Sequence, residues 1–474
     1  MTGESRSVSR IQQIKRVVAV LVAISAIGIF FMSPPQGLTV QATRVLGILA
    51  WSIGFLVTET IPEFVTGFMM CLLFVMGAEI PFKTAFNMFS DQGWWMIVGA
   101  FGLGVAANKC GLLKRISLWV LKIMSPTFMG QVIGLLISGT VISPLIPSIN
   151  AKAALAAPIA LGIGENLQYE KQSSGMAALF GAMFIGCTCS GLIFMSSSIS
   201  AYVLVRMCPP EYQNVTWMDW LHWAWPWGIM VITGYALSLK LLFTPKDKSV
   251  LPRSYGADRL KELGPMSYDE KITLMILATT LTLWMTEPIH KLPAACVALF
   301  AMTLLVALKV MNRDDFNKKI DWAAVYYVGS ILNMAAVMQF TKIDLWLGKV
   351  MAPYIAAIIG DPYLFVFCIV VIISLLRFFV VSFTSACALI VLVLAPIVGN
   401  YGIHPWIVVF LTFTMASVFF IPYMSSIFLC GYYATGGDMI SRRQTAILSS
   451  VYWVVGMIAM LAMVPYWQLI GLIK

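Results

Sequence analysis

The chain has 474 residues, of which 60% are hydrophobic and only 11% charged, with a mean hydropathy of +0.87 and a formal net charge of +10. Soluble domains carry roughly 25% charged residues, so a soluble globular protein is excluded and several membrane spans are implied. The apolar runs are continuous rather than alternating. That excludes a β-barrel and leaves helices, which satisfy their own backbone groups inside lipid. The basic excess lies in short loops, where it marks the cytoplasmic side of a bilayer rather than a nucleic-acid surface. Nine cysteines are scattered without a CxxC pair or a Cys/His cluster, so neither a metal site nor a disulfide framework is expected.

In chain order, the run 17–32 follows Arg6, Arg10, Lys15 and Arg16 and has no small-residue cleavage site. It reads as a retained first span, with residues 1–38 as the N-terminal region and the N-terminus in the cytoplasm. Further runs fall near 39–57, 62–77, 93–108, 130–165, 175–206 and 222–243. After the polar stretch 244–271, which reads as a cytoplasmic linker, runs follow near 272–288, 292–311, 323–340, 361–400, 405–435 and 445–470. Runs 130–165 and 361–400 are too long for one crossing, and each holds a polar patch with a proline after it. They predict re-entrant hairpins, since irregular backbone at membrane depth is tolerated only where it is buried or lines a cavity. Runs 175–206 and 405–435 carry central serines and predict interrupted helices. With the hairpins not crossing, about eleven transmembrane helices remain by the length rule.

Polar landmarks recur in one order. Thr58-Glu59 and Thr286-Glu287 lie 228 positions apart, Lys109 and Lys342 lie 233 apart, Ser148 and Ser385 lie 237 apart, and Ser196 and Ser425 lie 229 apart. The spacing divides the chain into repeats 39–243 and 272–474, each with one hairpin. About five crossings per half invert one repeat relative to the other, the architecture of secondary transporters with broken helices meeting near the midplane.

The first hairpin tip is Pro147-Ser148-Ile149-Asn150-Ala151-Lys152, and its counterpart is Ser382-Phe383-Thr384-Ser385-Ala386-Cys387. The start of a hairpin's second helix exposes amide N–H groups that suit an anion. Ser148, Asn150, Ser385 and Cys387 are the expected tip contacts, with Ser196, Ser197, Ser425 and Ser426 closing the site from the broken helices. Lys152, and Arg377 eight residues before Ser385, bring one cation to each tip, and neither hairpin core holds an acid. A cation at mid-membrane costs at least about 2.5–3.5 kcal/mol, and an anionic substrate is the economical partner. Two plainer readings stay open: the serines pack helices, and the cations snorkel to an interface. Glu59 and Glu287 stand at matching positions as helix caps or proton carriers, and His290 beside Glu287 makes no metal site.

The run WSIGFLVTETIPEFVTG (51–67), ANKCGL (107–112), the paired tips and TEPIHKLPAACVALFA (286–301) together resemble the divalent anion–sodium symporter family of citrate, succinate, tartrate and sulfate carriers. The resemblance implies a homodimer with a fixed scaffold and a transport domain that moves as an elevator. In that family each tip carries Ser-Asn-Thr, which binds carboxylate and frames a sodium site. Here Ser148-Ile149-Asn150 and Ser385-Ala386-Cys387 stand in those places, and Ile149 and Ala386 remove side-chain oxygens. With Lys152 and Arg377 supplying fixed charge, the chain resembles the sodium-independent exchanger branch.

The expectation is therefore an all-α polytopic transporter in the cytoplasmic (inner) membrane that exchanges small di- or tricarboxylates, with no cofactor and no nucleic-acid partner. Sodium- or proton-coupled symport and carriage of a sulfate-like oxyanion are the alternatives. An enzyme is not expected, because the histidines stand near predicted span ends and no span holds paired aspartates.

Overall fold

The computed structural model describes residues 3–58, 60–245, 250–252 and 254–474, so Glu59 lies outside the described residues. Among them the chain is helical throughout, and its single β feature is an isolated bridge between Ile403 and Ile473.

A first helix, α1 (Gly3–Phe31), precedes two series of nine, with four further short helices (Phe82–Ala85, Tyr255–Glu262, Glu287–His290 and Arg313–Lys319) in the connecting segments. The first series is α2 (Val40–Thr58), α3 (Glu63–Met76), α4 (Gln92–Lys109), α5 (Leu112–Ile123), α6 (Phe128–Ile142), α7 (Ile149–Asn166), α8 (Ser174–Thr188), α9 (Ile199–Arg206) and α10 (Trp217–Leu242). The second is α11 (Tyr268–Met285), α12 (Ala294–Ala307), α13 (Trp322–Phe340), α14 (Ile343–Ile359), α15 (Pro362–Leu376), α16 (Phe383–Val398), α17 (Trp406–Met415), α18 (Ser426–Ala434) and α19 (Arg442–Leu469). Each helix of the first series has a counterpart nine places on. Both series close on a long helix, of 26 and 28 residues, that follows a broken pair.

Local chemistry sets the helix ends. Asp91 caps α4 by accepting from the Gly93 amide at 2.7 Å, and Thr127 caps α6 by accepting from Gly130. Reciprocal capping boxes open α10 (Thr216 with Asp219), α11 (Ser267 with Glu270) and α19 (Ser441 with Gln444). Pro144 and Pro147 lie in the turn between α6 and α7, where regular helix stops. Pro158 and Pro396, by contrast, lie inside α7 and α16, which run through them.

Packing identifies the first hairpin. A Cβ placed on Gly139 would lie 2.3 Å from the Gly186 carbonyl carbon, and one on Gly164 would meet Met176. Hence α6 runs beside α8 towards its C-terminal end, and α7 returns along it. Only glycine at 139 and 186 lets the two backbones touch, the close approach membrane helices use in place of a hydrophobic driving force.

The helices sort into two packed groups. In the frame group, α2 packs on α1 and α3, α3 on α13, and α12 on both α4 and α11. The pairs α3–α13 and α4–α12 are counterparts of each other, so the two series interlock. Ion pairs tie them further: Lys109 to Asp315 at 2.6 Å and Arg115 to Glu270 at 2.7 Å, the latter with both side chains buried. Burial raises the Asp315 carboxyl, but hydrogen bonds from Lys109 and Lys319 outweigh it and hold the group well below the usual carboxylate range. The cradle group holds the hairpins α6–α7 and α15–α16, the broken pairs α8–α9 and α17–α18, and α10 packed on α19.

Among the described residues six helices are each long and apolar enough to cross a membrane, and α4 with α5, bent by 67°, adds a seventh if counted as one span. Of the six, α6 and α16 are arms of the two hairpins and α8 is half of a broken pair, whereas α3, α12, α15 and α17 are apolar but too short to qualify alone, so the count differs from the roughly eleven crossings expected.

Candidate anion-binding site

A cavity of about 510 Å³ lies between the two groups. Its cradle wall contains both hairpin tips (Pro147–Asn150 and Val381–Thr384) and the starts of the helices after each break (Ser198–Ser200, and Ser426 with Ile427). Its frame wall contains Glu63, Phe101, Asp321, Ala324, Tyr327 and Val328.

Four helices begin at the cradle wall, and each has a serine N-cap. Ser148 caps α7 by accepting from the Ala151 amide at 3.3 Å, and Ser382 caps α16 by accepting from Ser385 at 3.4 Å. Ser198 caps α9 by accepting from Ser200 at 3.2 Å, and Ser425 caps α18 by accepting from Phe428 at 3.1 Å. A helix start leaves several amide donors without helical partners and carries roughly half a positive charge. A serine cap satisfies one donor and adds no charge. Four such ends at one cavity can hold an anion by their amide donors, and no Lys or Arg lines the cavity among the described residues. Ser200 and Thr384 share a hydrogen bond of 2.7 Å, and the Ile199 amide donates to the Pro147 carbonyl at 3.2 Å, so breaks and tips are joined.

The two buried cations lie behind this wall. Lys152 is 1% exposed, and its Nζ donates to the Ser197 carbonyl at 2.9 Å and to Ser143 Oγ at 3.3 Å. Arg377 is also 1% exposed, and its guanidinium donates to the carbonyls of Val380 at 2.7 Å, Val381 and Met424. Lys152 thus ties the first hairpin to the break between α8 and α9. Arg377 ties the second hairpin to the break between α17 and α18. In each case carbonyl dipoles offset the cost of burying charge. Neither residue snorkels, and neither lines the cavity.

The other expected site residues divide. Ser148, Asn150 and Ser426 line the cavity, and Ser425 caps the helix behind Ser426. Ser196 Oγ donates to the Pro144 carbonyl at 2.9 Å and accepts from Trp217 Nε1 at 3.0 Å, so it braces the first tip from behind. Ser197 is buried and lends its carbonyl to Lys152. Ser385 and Cys387 do not reach the cavity. Ser385 lies one turn inside α16, bonded to Tyr327 at 2.6 Å and Ser382 at 2.8 Å, and Cys387 is buried with its thiol against the Thr412 carbonyl. The residue matching Ser148 is therefore Ser382, so the second tip presents Ser382-Phe383-Thr384. The expected register is off by one helical turn, because it aligned serines by distance to the following proline rather than by their capping position. Ser198, Ser200, Ser382 and Thr384 are the polar cradle-wall residues the sequence reading left unassigned. A serine just before each apolar helical run was the signal that would have found Ser198 and Ser382.

Comparison with known proteins follows the same lines. Dicarboxylate transporter 1, chloroplastic, of Spinacia oleracea is 23% identical over 343 residues, covering 69% of this chain and 59% of that one. The L-tartrate/succinate antiporter of Shigella flexneri is 25% identical over 323 residues, covering 66% and 65%. The Escherichia coli (strain K12) antiporter of the same name is 24% identical over 312 residues, covering 64% and 63%. The matches thus span about three-fifths to two-thirds of these relatives' own lengths, and the relatives are transporters rather than enzymes. Among solved structures, the Alcanivorax borkumensis YdaH transporter superposes with a TM-score of 0.59 at 13% identity, over 97% of this chain and 98% of that one. Neisseria gonorrhoeae MtrF, from a class of antimetabolite efflux pumps, superposes with a TM-score of 0.55 at 13% identity, over 96% and 94%. At that identity the likeness establishes the fold alone, that of a polytopic helical membrane protein. The family model described as the sodium:sulfate symporter transmembrane region matches residues 12–473, and the chain belongs to that family.

Proposed function

We propose that the protein is a secondary active transporter that exchanges small dicarboxylates across the inner membrane, its N-terminus cytoplasmic, as a homodimer. The frame group is the fixed scaffold and the cradle group the mobile domain. One observation carries this reading: four serine-capped helix starts converge on one cavity, and a buried cation braces each hairpin tip against the adjacent break.

The anion lies against the starts of α7, α9, α16 and α18. Ser148, Asn150, Ser382, Thr384, Ser200 and Ser426 add neutral hydrogen bonds. At about 1 kcal/mol per helix end, four ends supply about 4 kcal/mol, enough for millimolar affinity. Weak binding of this kind suits a carrier that must also release.

Lys152 and Arg377 replace the coupling ion. Each bonds carbonyls of a hairpin and of a neighbouring break, the oxygen-rich place where a sodium ion would otherwise hold those segments together. A resident cation does not leave, so the empty cradle keeps its positive charge. Moving that charge unneutralised through mid-membrane costs several kcal/mol, whereas a loaded cradle is neutralised. Only loaded cradles cross readily, which is exchange. The dicarboxylate and antiporter relatives support the substrate class. The family's sodium:sulfate description favours the rival reading, sodium-coupled carriage of sulfate or of a carboxylate.

Counterflow in proteoliposomes decides between them. Uptake of labelled succinate should require internal succinate and should proceed equally in sodium and in choline. Uptake driven by a sodium gradient into empty vesicles, or sulfate outcompeting every carboxylate, would contradict the proposal.

A further inference from the structure

The frame and cradle groups meet along an interface that three spaces mark in order. The cavity at the hairpin tips reaches the surface at Asp321, which is exposed. Beside it is a gap of about 10 Å³, where Pro144, Leu145 and Pro147 of the first hairpin face Leu103 of α4 and Leu277 and Leu281 of α11. Pro147 lines both the gap and the open cavity, and Trp284 lines both the gap and a third space. That third space, of about 170 Å³, has Gln92 and Glu287 on the frame side and Tyr202, Arg206 and Asn214 on the cradle side. Helix α4 gives the direction. Its last residue, Lys109, pairs with Asp315 in the segment that leads to Asp321. Its first, Gln92, lies at the far end of an 18-residue helix, roughly 27 Å away. A wide cavity, an apolar seal and a small polar pocket therefore follow one another from the Asp321 face to the opposite face.

A charged contact crosses the interface at the third space. Arg206, the last residue of α9, places Nε 3.4 Å from Asp91 Oδ1, and both side chains are 25% exposed. The same oxygen caps α4 by accepting from the Gly93 amide. Gly93 makes room for the contact, since a Cβ there would lie 3.1 Å from Arg206 Cγ and 3.2 Å from its Nε. Gln213 donates to the carbonyls of Arg206 and Cys208 at 3.1 and 2.7 Å, which fixes the end of α9 that carries the guanidinium.

We propose that the Arg206–Asp91 ion pair is a latch across the sliding interface: it holds the carrier open at the Asp321 face and parts each time the cradle moves towards the opposite face. The proposal rests on the transport reading above and adds to it the place where the moving group is held. A half-exposed pair suits this role. It is weak enough to break in every cycle, and it biases two orientations by only about fivefold.

The test reads which face the first tip meets. Ile149 lines the open cavity at that tip. Ile149→Cys, in proteoliposomes of one orientation, is labelled from either face with a membrane-impermeant maleimide, counted above the unsubstituted chain. With the pair intact, labelling should be faster from the Asp321 face. Asp91→Asn, which keeps the cap, and Arg206→Gln should each lower the ratio of the two rates by about fivefold, and the double variant no further than either. Arg206→Lys keeps the charge and should keep most of the ratio. Raising choline chloride from about 0.02 to about 0.5 M should lower the ratio where the pair is intact and leave Asp91→Asn and Arg206→Gln unmoved. A ratio unchanged by both neutral variants would overturn the latch, and so would a ratio that Arg206→Lys lowers as far as Arg206→Gln, or an equal salt response in all proteins. Labelling from the Asp321 face alone in every protein, with no succinate exchange, would instead overturn the transport reading itself.

Discussion

The two walls of the cavity are built from the same parts and tuned to opposite ends. Both present helix N-termini, and both belong to series of helices that match in order. On the cradle wall the caps are serines, so the helix charge is left for a ligand. On the frame wall an acid stands at each helix start, Glu63 in the first turn of α3 and Asp321 capping α13. A carrier needs this asymmetry: a solute bound equally to both walls would pin them together instead of travelling with one.

The largest expected effect comes from removing a cradle cation. Lys152→Ala leaves the Ser197 carbonyl without its buried partner, and Arg377→Ala does the same for Met424. Each should reduce counterflow by about a hundredfold or more, since an unmade buried bond to a charged group costs about 3 kcal/mol. If either substitution left exchange intact, the comparison between walls would lose its cationic backing. Ser148→Ala and Ser382→Ala should each raise the half-saturation concentration for succinate by about fivefold, as loss of a cap worth about 1 kcal/mol predicts. The same change at Ser385, which lies behind the tip, should do less. Equal effects at 382 and 385 would argue for the register that places Ser385 on the wall.

Smaller effects belong to the frame. Asp315→Asn should lower stability by about 2 kcal/mol through its bonds to Lys109 and Lys319, read as a fall in melting temperature, without changing succinate half-saturation. The Asp315 carboxyl is depressed in the folded state. Its contribution is thus complete above the unfolded value of about 4 and disappears as the pH falls through the depressed folded value. Acid should therefore loosen the wild type more than the Asp315→Asn variant. Tyr327→Phe, which removes the bond to Ser385 across the two groups, should change transport by no more than about threefold.

Much of this was legible from the chain. Two apolar runs too long for one crossing marked the hairpins, and internal serines marked the breaks, because lipid tolerates irregular backbone only for a reason. Lys152 and Arg377 stood out because charge at membrane depth is costly. What those cations touch was not legible, since carbonyl partners have no sequence signature. The register at the second tip was misread because both Ser382 and Ser385 fit the pattern, and only the helix start separates them. Glu63 and Asp321 were not singled out because an acid in the first turn of a helix is common. Their common position appears only once α3 and α13 are seen to open on one cavity.

The central claim is that neutral-capped helix starts, not a wall cation or a bound metal ion, hold the anion. A succinate-bound map obtained in sodium-free buffer tests it directly. One carboxylate should lie within hydrogen-bonding distance of the amides that open α7, and the other near those that open α16, with Lys152 still on the Ser197 carbonyl. Succinate seated against Glu63 and Asp321, or Lys152 swung into the cavity to meet it, would contradict the account.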